Sequence, residues 1–341
     1  MCVGVLLLWG GFVFWIELGR KDADENIEAT KKSQKIRSTK KTKKRRELSA
    51  LPGIFWGEGR SQKLAEEELP KHFESLKKIH QPIQAPKPGD WLASHYEKGQ
   101  SVQRYKKENP IRPTKKRRFI YVWPLGGFTR TQHEIIMLTA EYLKLYFCLP
   151  VKVMKTIPLS RIPWNARRKH PRWGMQQLWV GYIIKDLLIP NLPKDAMASI
   201  AFTAQDLFPG DGWNFVYGYA LVQKRVGVWS VYRNGNPDAS KAAYQLFLRR
   251  TLKIATHELG HIFTIEHCIG YECNMNGVNH REESDKKPLH LCPLCLHKLT
   301  WNTRCDPVER YKKLEAFATR HKLRSLRQFY QRSRKLMQNK K

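Results

Sequence analysis

With 341 residues, 41% of them hydrophobic and 11% aromatic, the chain is long enough for one large domain or two modest ones. This composition is globular and excludes a wholly disordered chain or a small domain that depends on disulfides. The formal net charge of +32 is extreme but uneven. Residues 31–46, KKSQKIRSTKKTKKRR, hold ten Lys or Arg and no acid, and residues 307–341 hold twelve against Glu309 and Glu315. Such runs are either solvated tails or surfaces for an anionic partner, nucleic acid or an acidic membrane.

In chain order, MCVGVLLLWGGFVFWI (residues 1–16) carries no charge. It is shorter than the ~20 apolar residues that span a bilayer and lacks the basic start of a signal peptide. It reads either as an anchor-like or signal-like segment or as a stretch docked on the domain or disordered. Residues 17–110 are charged and poor in periodic apolar pattern, with Pro82, Pro86 and Pro88 as breaks. They read as a largely disordered or irregular extension, with a short helix over 66–79.

The folded body, residues 117–305, opens with FIYVWPLG (119–126), a β-forming run ended by Pro-Leu-Gly-Gly. A helix is predicted over 129–147, a strand over 151–157, a helix over 176–189 and a strand over 198–207. Two more strands follow around 217–223 and 226–233, the latter, VGVWSVYR, as an exposed edge suited to an extended peptide. A long helix covers 241–263, with Asp238 and Ser240 as cap candidates. The order β-α-β-α-β-β-β-α predicts an α/β (α+β) domain with a mixed, twisted sheet. A Cys-rich segment and a basic helical tail, 306–341, complete the chain. Of seven cysteines, four lie between 268 and 295, a clustering more usual for a metal site than for disulfides. Cys2, Cys148 and Cys305 read as free thiols, Cys148 in the core.

The segment ATHELGHIFTIEHCIGYECNMNG, 255–277, carries the chemistry. HELGH sets His257 and His261 four residues apart, so on a helix both imidazoles leave one face, as two ligands of a tetrahedral zinc must. Glu258 stands one step around, beside the metal, placed to take a proton from water that zinc activates. His267 is the candidate third ligand. In a straight helix the ten residues from His257 would rise ~15 Å and turn it to another face. The helix must therefore end soon after His261 and the chain double back, usually through a residue with φ > 0 and usually glycine.

On these residues the chain resembles the metzincin zinc proteases, and Cys268, Cys273, Cys292, Cys295 and Met275 resemble their archaemetzincin branch. The runs NMNGVNHREESDKKPLHLCPLCLHKL and DLFPGDGWNFVYGYA strengthen the likeness, which covers about 117–300. The resemblance implies a metzincin-like fold with zinc ligands His257, His261 and His267, Glu258 as general base, and Met275 packed in a tight turn under the metal. The chain departs from the pattern at Thr264, where the family has glycine. A left-handed Thr264 costs ~1–2 kcal/mol, so Thr264→Gly is expected to raise stability, zinc affinity or turnover.

The pairs C-x4-C (268/273) and C-x2-C (292/295) suit a second, closed tetrahedral zinc, with one or two disulfides as the rival. The function expected is therefore a two-zinc metallopeptidase acting on a peptide or small protein as a monomer. The alternatives are a zinc protein that binds peptides with little or no turnover, and a nucleic-acid-associated zinc protein. Reduced thiolates predict an intracellular setting, cytoplasm or nucleus, with membrane anchoring through 1–16 as the alternative.

Overall fold

A run of β-branched and aromatic residues, FIYVWPL, forms a central strand in the computed structural model, which describes residues 12–15 (backbone course only), 58–210 and 212–338. Its strands are β1 (Phe12–Trp15), β2 (Phe119–Leu125), β3 (Val151–Val153), β4 (Arg167–Lys169), β5 (Gln176–Trp179), β6 (Ala196–Thr203), β7 (Asp206–Phe208), β8 (Gly218–Leu221) and β9 (Val226–Ser230). The main helices are α1 (Glu58–Ala65), α2 (Val102–Lys107), α3 (Arg130–Phe147), α4 (Lys241–Ile262), α5 (Arg281–Lys286), α6 (Pro293–Thr303), α7 (Pro307–Arg320) and α8 (Arg324–Gln338).

The large sheet runs β1-β8-β9-β6-β2-β3, and a small one runs β4-β5-β7. Pairs β2/β3, β2/β6 and β6/β9 are parallel, while β8 lies antiparallel to β9. The sheet is therefore mixed, as predicted. Alternation along β6 splits the core. Ile200 and Phe202 join α3 and α4 in the main cluster, while Ala201 faces a smaller cluster with Leu178, Ile184 and Val228. Helix α3 begins with a reciprocal cap, Thr129 with Gln132, and buries Ile135, Ile136, Leu143 and Phe147.

Several expectations change. VGVWSVYR is not an edge: β9 lies between β8 and β6, and β8 has β1 on its outer side. Residues 176–179 are strand, not helix, because Gln177 is buried where its amide reaches Asp206 Oδ2 at 2.8 Å and the Asn214 carbonyl at 2.7 Å. Cys148 and Cys305 are not free thiols but a disulfide, and Cys148 is only half-buried. Cys148 directly follows α3 and Cys305 lies two residues past the end of α6, so the bond ties two helix ends together. Cys2 lies outside the described residues, as do residues 1–11 and the basic run 31–46.

The flanks are also more structured than their charge suggests. Residues 58–110 contain α1, α2 and several single turns, and they bury Leu76, Trp91, Val102 and Tyr105. The predicted tail folds as α7 and α8 against α3. Leu314, Phe317, Tyr330 and Met337 join the main core, and buried Arg310 donates to the Tyr146 carbonyl at 2.7 Å. The lysines and arginines of α7 and α8 mislead because an amphipathic helix shows its charge in composition and its apolar stripe only in spacing.

Helix α4 starts at Ser240, whose Oγ accepts from Ala243 N at 3.0 Å, and all of its residues from Thr251 onward are buried. It stops where the third ligand requires. Thr264 has φ +66°, Thr264 N–H donates to the His261 carbonyl at 2.7 Å, and Ile265 N–H to the Gly260 carbonyl at 3.2 Å. These are the two bonds of a left-handed helix stop, with buried Ile265 as its apolar partner. Threonine is compensated here as glycine would not be, because its Oγ1 accepts from Ile111 N–H at 3.1 Å. Relief of ~1–2 kcal/mol of strain is thus opposed by a lost bond of ~1 kcal/mol and a more flexible unfolded chain. Thr264→Gly is expected to unfold in urea within about 1 kcal/mol of the parent, whereas Thr264→Val, which keeps the strain and loses the bond, is destabilised by about 1–3 kcal/mol. Equal stability of parent and Thr264→Val would show that the hydroxyl anchors nothing.

Candidate metal centres

The reversal at Thr264 brings His267 back to α4. The ligand atoms of His257, His261 and His267 lie within 4.8 Å of one another. His257 Nε2 and His261 Nε2 are 3.0 Å apart, and the His267 ring centroid is 5.5 Å from that of His257 and 5.0 Å from that of His261.

The outer nitrogens decide what the inner ones can do. His257 Nδ1 meets the Asn274 carbonyl at 2.7 Å, His261 Nδ1 the Ile265 carbonyl at 2.7 Å, and His267 Nδ1 the Glu97 carboxylate at 2.7 Å. A carbonyl or carboxylate accepts here, so each Nδ1 carries a proton, and in the neutral ring Nε2 keeps its lone pair for a cation. Burial pushes His257 down to about 3, and burial with the neighbouring imidazoles pushes His261 well below the usual range, so both are neutral near pH 7. Burial also works against the charge on His267, but Glu97 lifts its pKa above the ordinary value. The donor set fits zinc: two neutral imidazoles and a third that gives up its Nε2 proton when a cation binds, its Nδ1–H staying on Glu97.

Glu258 is buried, and neither carboxylate oxygen has a hydrogen-bond partner among the described residues. Burial raises its pKa to about 8. An orphaned buried carboxylate next to three converging imidazoles is a second sign that a cation belongs there. Met275 lies under α4, fully buried, and a Cβ on Gly260 would come within 2.6 Å of its sulfur. Any side chain in place of this glycine of HELGH would force the methionine to shift.

Cys268, Cys273, Cys292 and Cys295 form the second cluster, with sulfurs within 4.8 Å of one another, all buried and none in a disulfide. The rival pairing is therefore not adopted. Backbone N–H groups point at the sulfurs: Met275 N and Cys292 N at Cys273 Sγ (3.4 and 3.3 Å), and Cys295 N at Cys292 Sγ (3.5 Å). Such donors stabilise thiolates, and a closed set of four suits a structural zinc. Asn276 sits between the centres. Its side chain accepts from Cys273 N at 2.8 Å and donates to the carbonyls of Cys268 (2.7 Å) and Tyr271 (2.9 Å). A third group, Asp90, His280 and Glu283, also converges, but Glu283 already holds the backbone N–H groups of Trp91 and Asn279.

The residues that the sequence reading missed come from 91–111. Glu97 orients His267 and also accepts from Trp91 Nε1 at 2.7 Å. Nothing in DWLASHYEKGQ marks this glutamate, since its partner lies 170 positions away. Removing such an outer partner typically costs 10–100-fold in metal affinity. Glu97→Ala is expected to weaken zinc binding at one site by about that factor in a chelator competition, leaving the four-cysteine site unchanged. Unaltered affinity at both sites would remove Glu97 from this role.

Comparison with known proteins identifies the family. The model of peptidase family M54 matches residues 194–301, which contain all seven candidate ligands. Archaemetzincin-2 of Homo sapiens is 34% identical over 274 residues, 71% of this chain and 75% of that protein. Archaemetzincin-2 of Rattus norvegicus is 31% identical over 281 residues, 71% of this chain and 76% of that protein. The crystal structure of archaemetzincin from Methanopyrus kandleri is 25% identical, covers 56% of this chain and 97% of its own, and superposes with a TM-score of 0.43. The chain belongs to the archaemetzincins, peptidase family M54, a family of zinc metallopeptidases.

Proposed function

We propose that the chain hydrolyses peptide bonds at a zinc held by His257, His261 and His267, with Glu258 as general base and a second, structural zinc on the four cysteines. The observation that carries this reading is the convergence of three imidazoles whose outer nitrogens are all committed. Zinc bound there supplies a Lewis acid that acidifies water and polarises a carbonyl. Glu258 then accepts the proton of the attacking water as the C–O bond forms, and delivers it to the amine nitrogen as the C–N bond breaks. Positive charge at the metal position favours the ionised form of Glu258, which burial alone disfavours.

Thr264 does not keep His267 away, which weighs against a merely vestigial site. The four cysteines are buried, so a nucleic acid would meet the basic surface and not the cluster. No helix among the described residues is long and apolar enough to cross a membrane. A peptide or small protein as substrate, a monomeric state and an anionic partner at the basic surface remain part of the proposal.

Elemental analysis is expected to find two zinc ions per chain, falling to one in His261→Ala, while Glu258→Gln keeps both and loses peptide turnover by at least about a hundredfold. Retained turnover in Glu258→Gln would overturn the assignment of the base. The metal-free protein should also show a pH signature. A carboxyl raised from 4.5 to about 8 binds a proton more tightly when folded, so its contribution is present at low pH and lost as pH rises through 8. Metal-free Glu258→Gln is therefore expected to melt higher than the metal-free parent at pH 8.5 and close to it at pH 5, measured by calorimetry. A difference that does not change with pH would contradict the raised pKa.

A further inference from the structure

The face of α4 that carries the histidines continues toward the helix N-terminus. Lys253 lies four residues before His257, which lies four before His261, so all three share one stripe. Lys253 is 7% exposed, deeper than a lysine usually lies without a carboxylate partner. Its Nζ donates to the carbonyls of Ser284 and Lys287, and no carboxylate lies within ion-pair distance among the described residues. Burial, with Arg249 nearby, lowers its pKa to about 7.

Lys253 lines a cavity of about 30 Å³ that also takes in His257, Glu258, Asn274 and Arg281, which is room for about two waters or one carboxylate and too little for an aromatic ring. Four cations line it, Arg250, Lys253, Arg281 and Lys287, against a single carboxylate, Glu258. Two are already matched. Arg250 binds Asp285, with Nη2 2.5 Å from Oδ2, and Lys287 binds Glu272 at 3.0 Å. Arg281 donates to the Asn234 side chain at 3.0 Å and the Arg233 carbonyl at 2.9 Å and lies over the Tyr217 ring, none of which is a charge partner. Asp285, paired directly with Arg250, acts on Lys253 and Arg281 only from a distance, so the cavity beside the candidate base holds two cations without a direct ion pair, a setting that favours an anion of carboxylate size.

We propose that Lys253 and Arg281 form a subsite that reads a carboxylate next to the scissile bond. This rests on the peptidase reading and names its substrate class: peptides with Asp or Glu flanking the cleaved bond, or with a free C-terminal carboxylate close to it. The cations would offset the repulsion between Glu258 and the incoming carboxylate.

The test uses zinc-loaded Glu258→Gln protein, so that binding is read apart from turnover. Fluorescent hexapeptide amides differing only as Glu or Gln at either central position are compared by anisotropy, alongside an alanine hexapeptide as free acid and as amide. One Glu position, or the free acid, is expected to bind about tenfold tighter than its uncharged counterpart, and the arm that responds identifies the source of the carboxylate. The preference should shrink to about twofold or less in Lys253→Met and in Arg281→Gln. Equal binding of every charged and uncharged pair to the parent overturns the subsite, and this comparison needs neither lining variant to fold. Survival of the preference in both variants overturns it as well. The two readings fail separately: discrimination without cleavage of these peptides by the unsubstituted protein sinks the peptidase and leaves the subsite, and cleavage without discrimination does the reverse.

Discussion

Two histidines a helical turn apart can hold a cation only weakly; the third must come from a chain that has reversed. In this protein the reversal is a single left-handed residue, Thr264, and residues 97–111 close around it. Tyr105 donates to the Phe263 carbonyl at 2.7 Å and Ile111 N–H to Thr264 Oγ1. Gln100 donates to the Thr264 carbonyl and accepts from Glu266 N–H. Arg104 grips Glu266 through two nitrogens, and Glu97 holds His267 itself. Each such bond is worth ~1 kcal/mol, so together they exceed the ~1–2 kcal/mol cost of a β-branched residue in left-handed geometry. The turn is affordable because a second segment was brought to it.

The same turn links the two candidate metal centres. Cys268 follows His267 directly, and its N–H donates to the Met275 carbonyl at 2.7 Å while the Met275 side chain lies against Gly260 of α4. Asn276 then binds the backbone of Cys268, Tyr271 and Cys273. A displacement of the cysteine segment would therefore move His267 and Asn274, whose carbonyl holds His257. Four buried sulfurs stabilise that segment only if they are bridged, because unpaired buried thiols contribute packing and no geometry. The four-cysteine cluster thus bears on the three-histidine cluster through position alone.

What the sequence made legible follows from how local each signal is. HELGH, the four cysteines and the strand FIYVWPL depend on spacing within a few turns, and the structure places them as spacing requires. The mixed order of strands was readable for the same reason. The failures are non-local. Gln176–Trp179 has the composition of a helix start, but its strand geometry is imposed by β4 and β7 on either side. VGVWSVYR looks like an edge until β8 turns back beside it. Cys148 and Cys305 are separated by 157 positions, and no spacing rule pairs them. The need for a reversal at Thr264 could be deduced from helical geometry, but the hydroxyl acceptor for Ile111 that makes threonine tolerable could not.

This changes what counts as the functional unit. Residues 194–301, where the family model matches, include every candidate ligand and the candidate base. They do not include Glu97, Gln100, Arg104, Tyr105 or Ile111, nor Phe147, whose ring stacks on Phe263 at 5.0 Å just before the reversal. A ligand set without those contacts would still have two imidazoles fixed by α4, but the third would depend on a strained residue with nothing to hold it. Because affinity for a tetrahedral cation falls steeply when one of three ligands is free to leave, the extension has to be counted as part of the site it covers. The charged, proline-broken stretch that composition assigns to the periphery is, from residue 91 to residue 111, the wall against which the active-site turn is built.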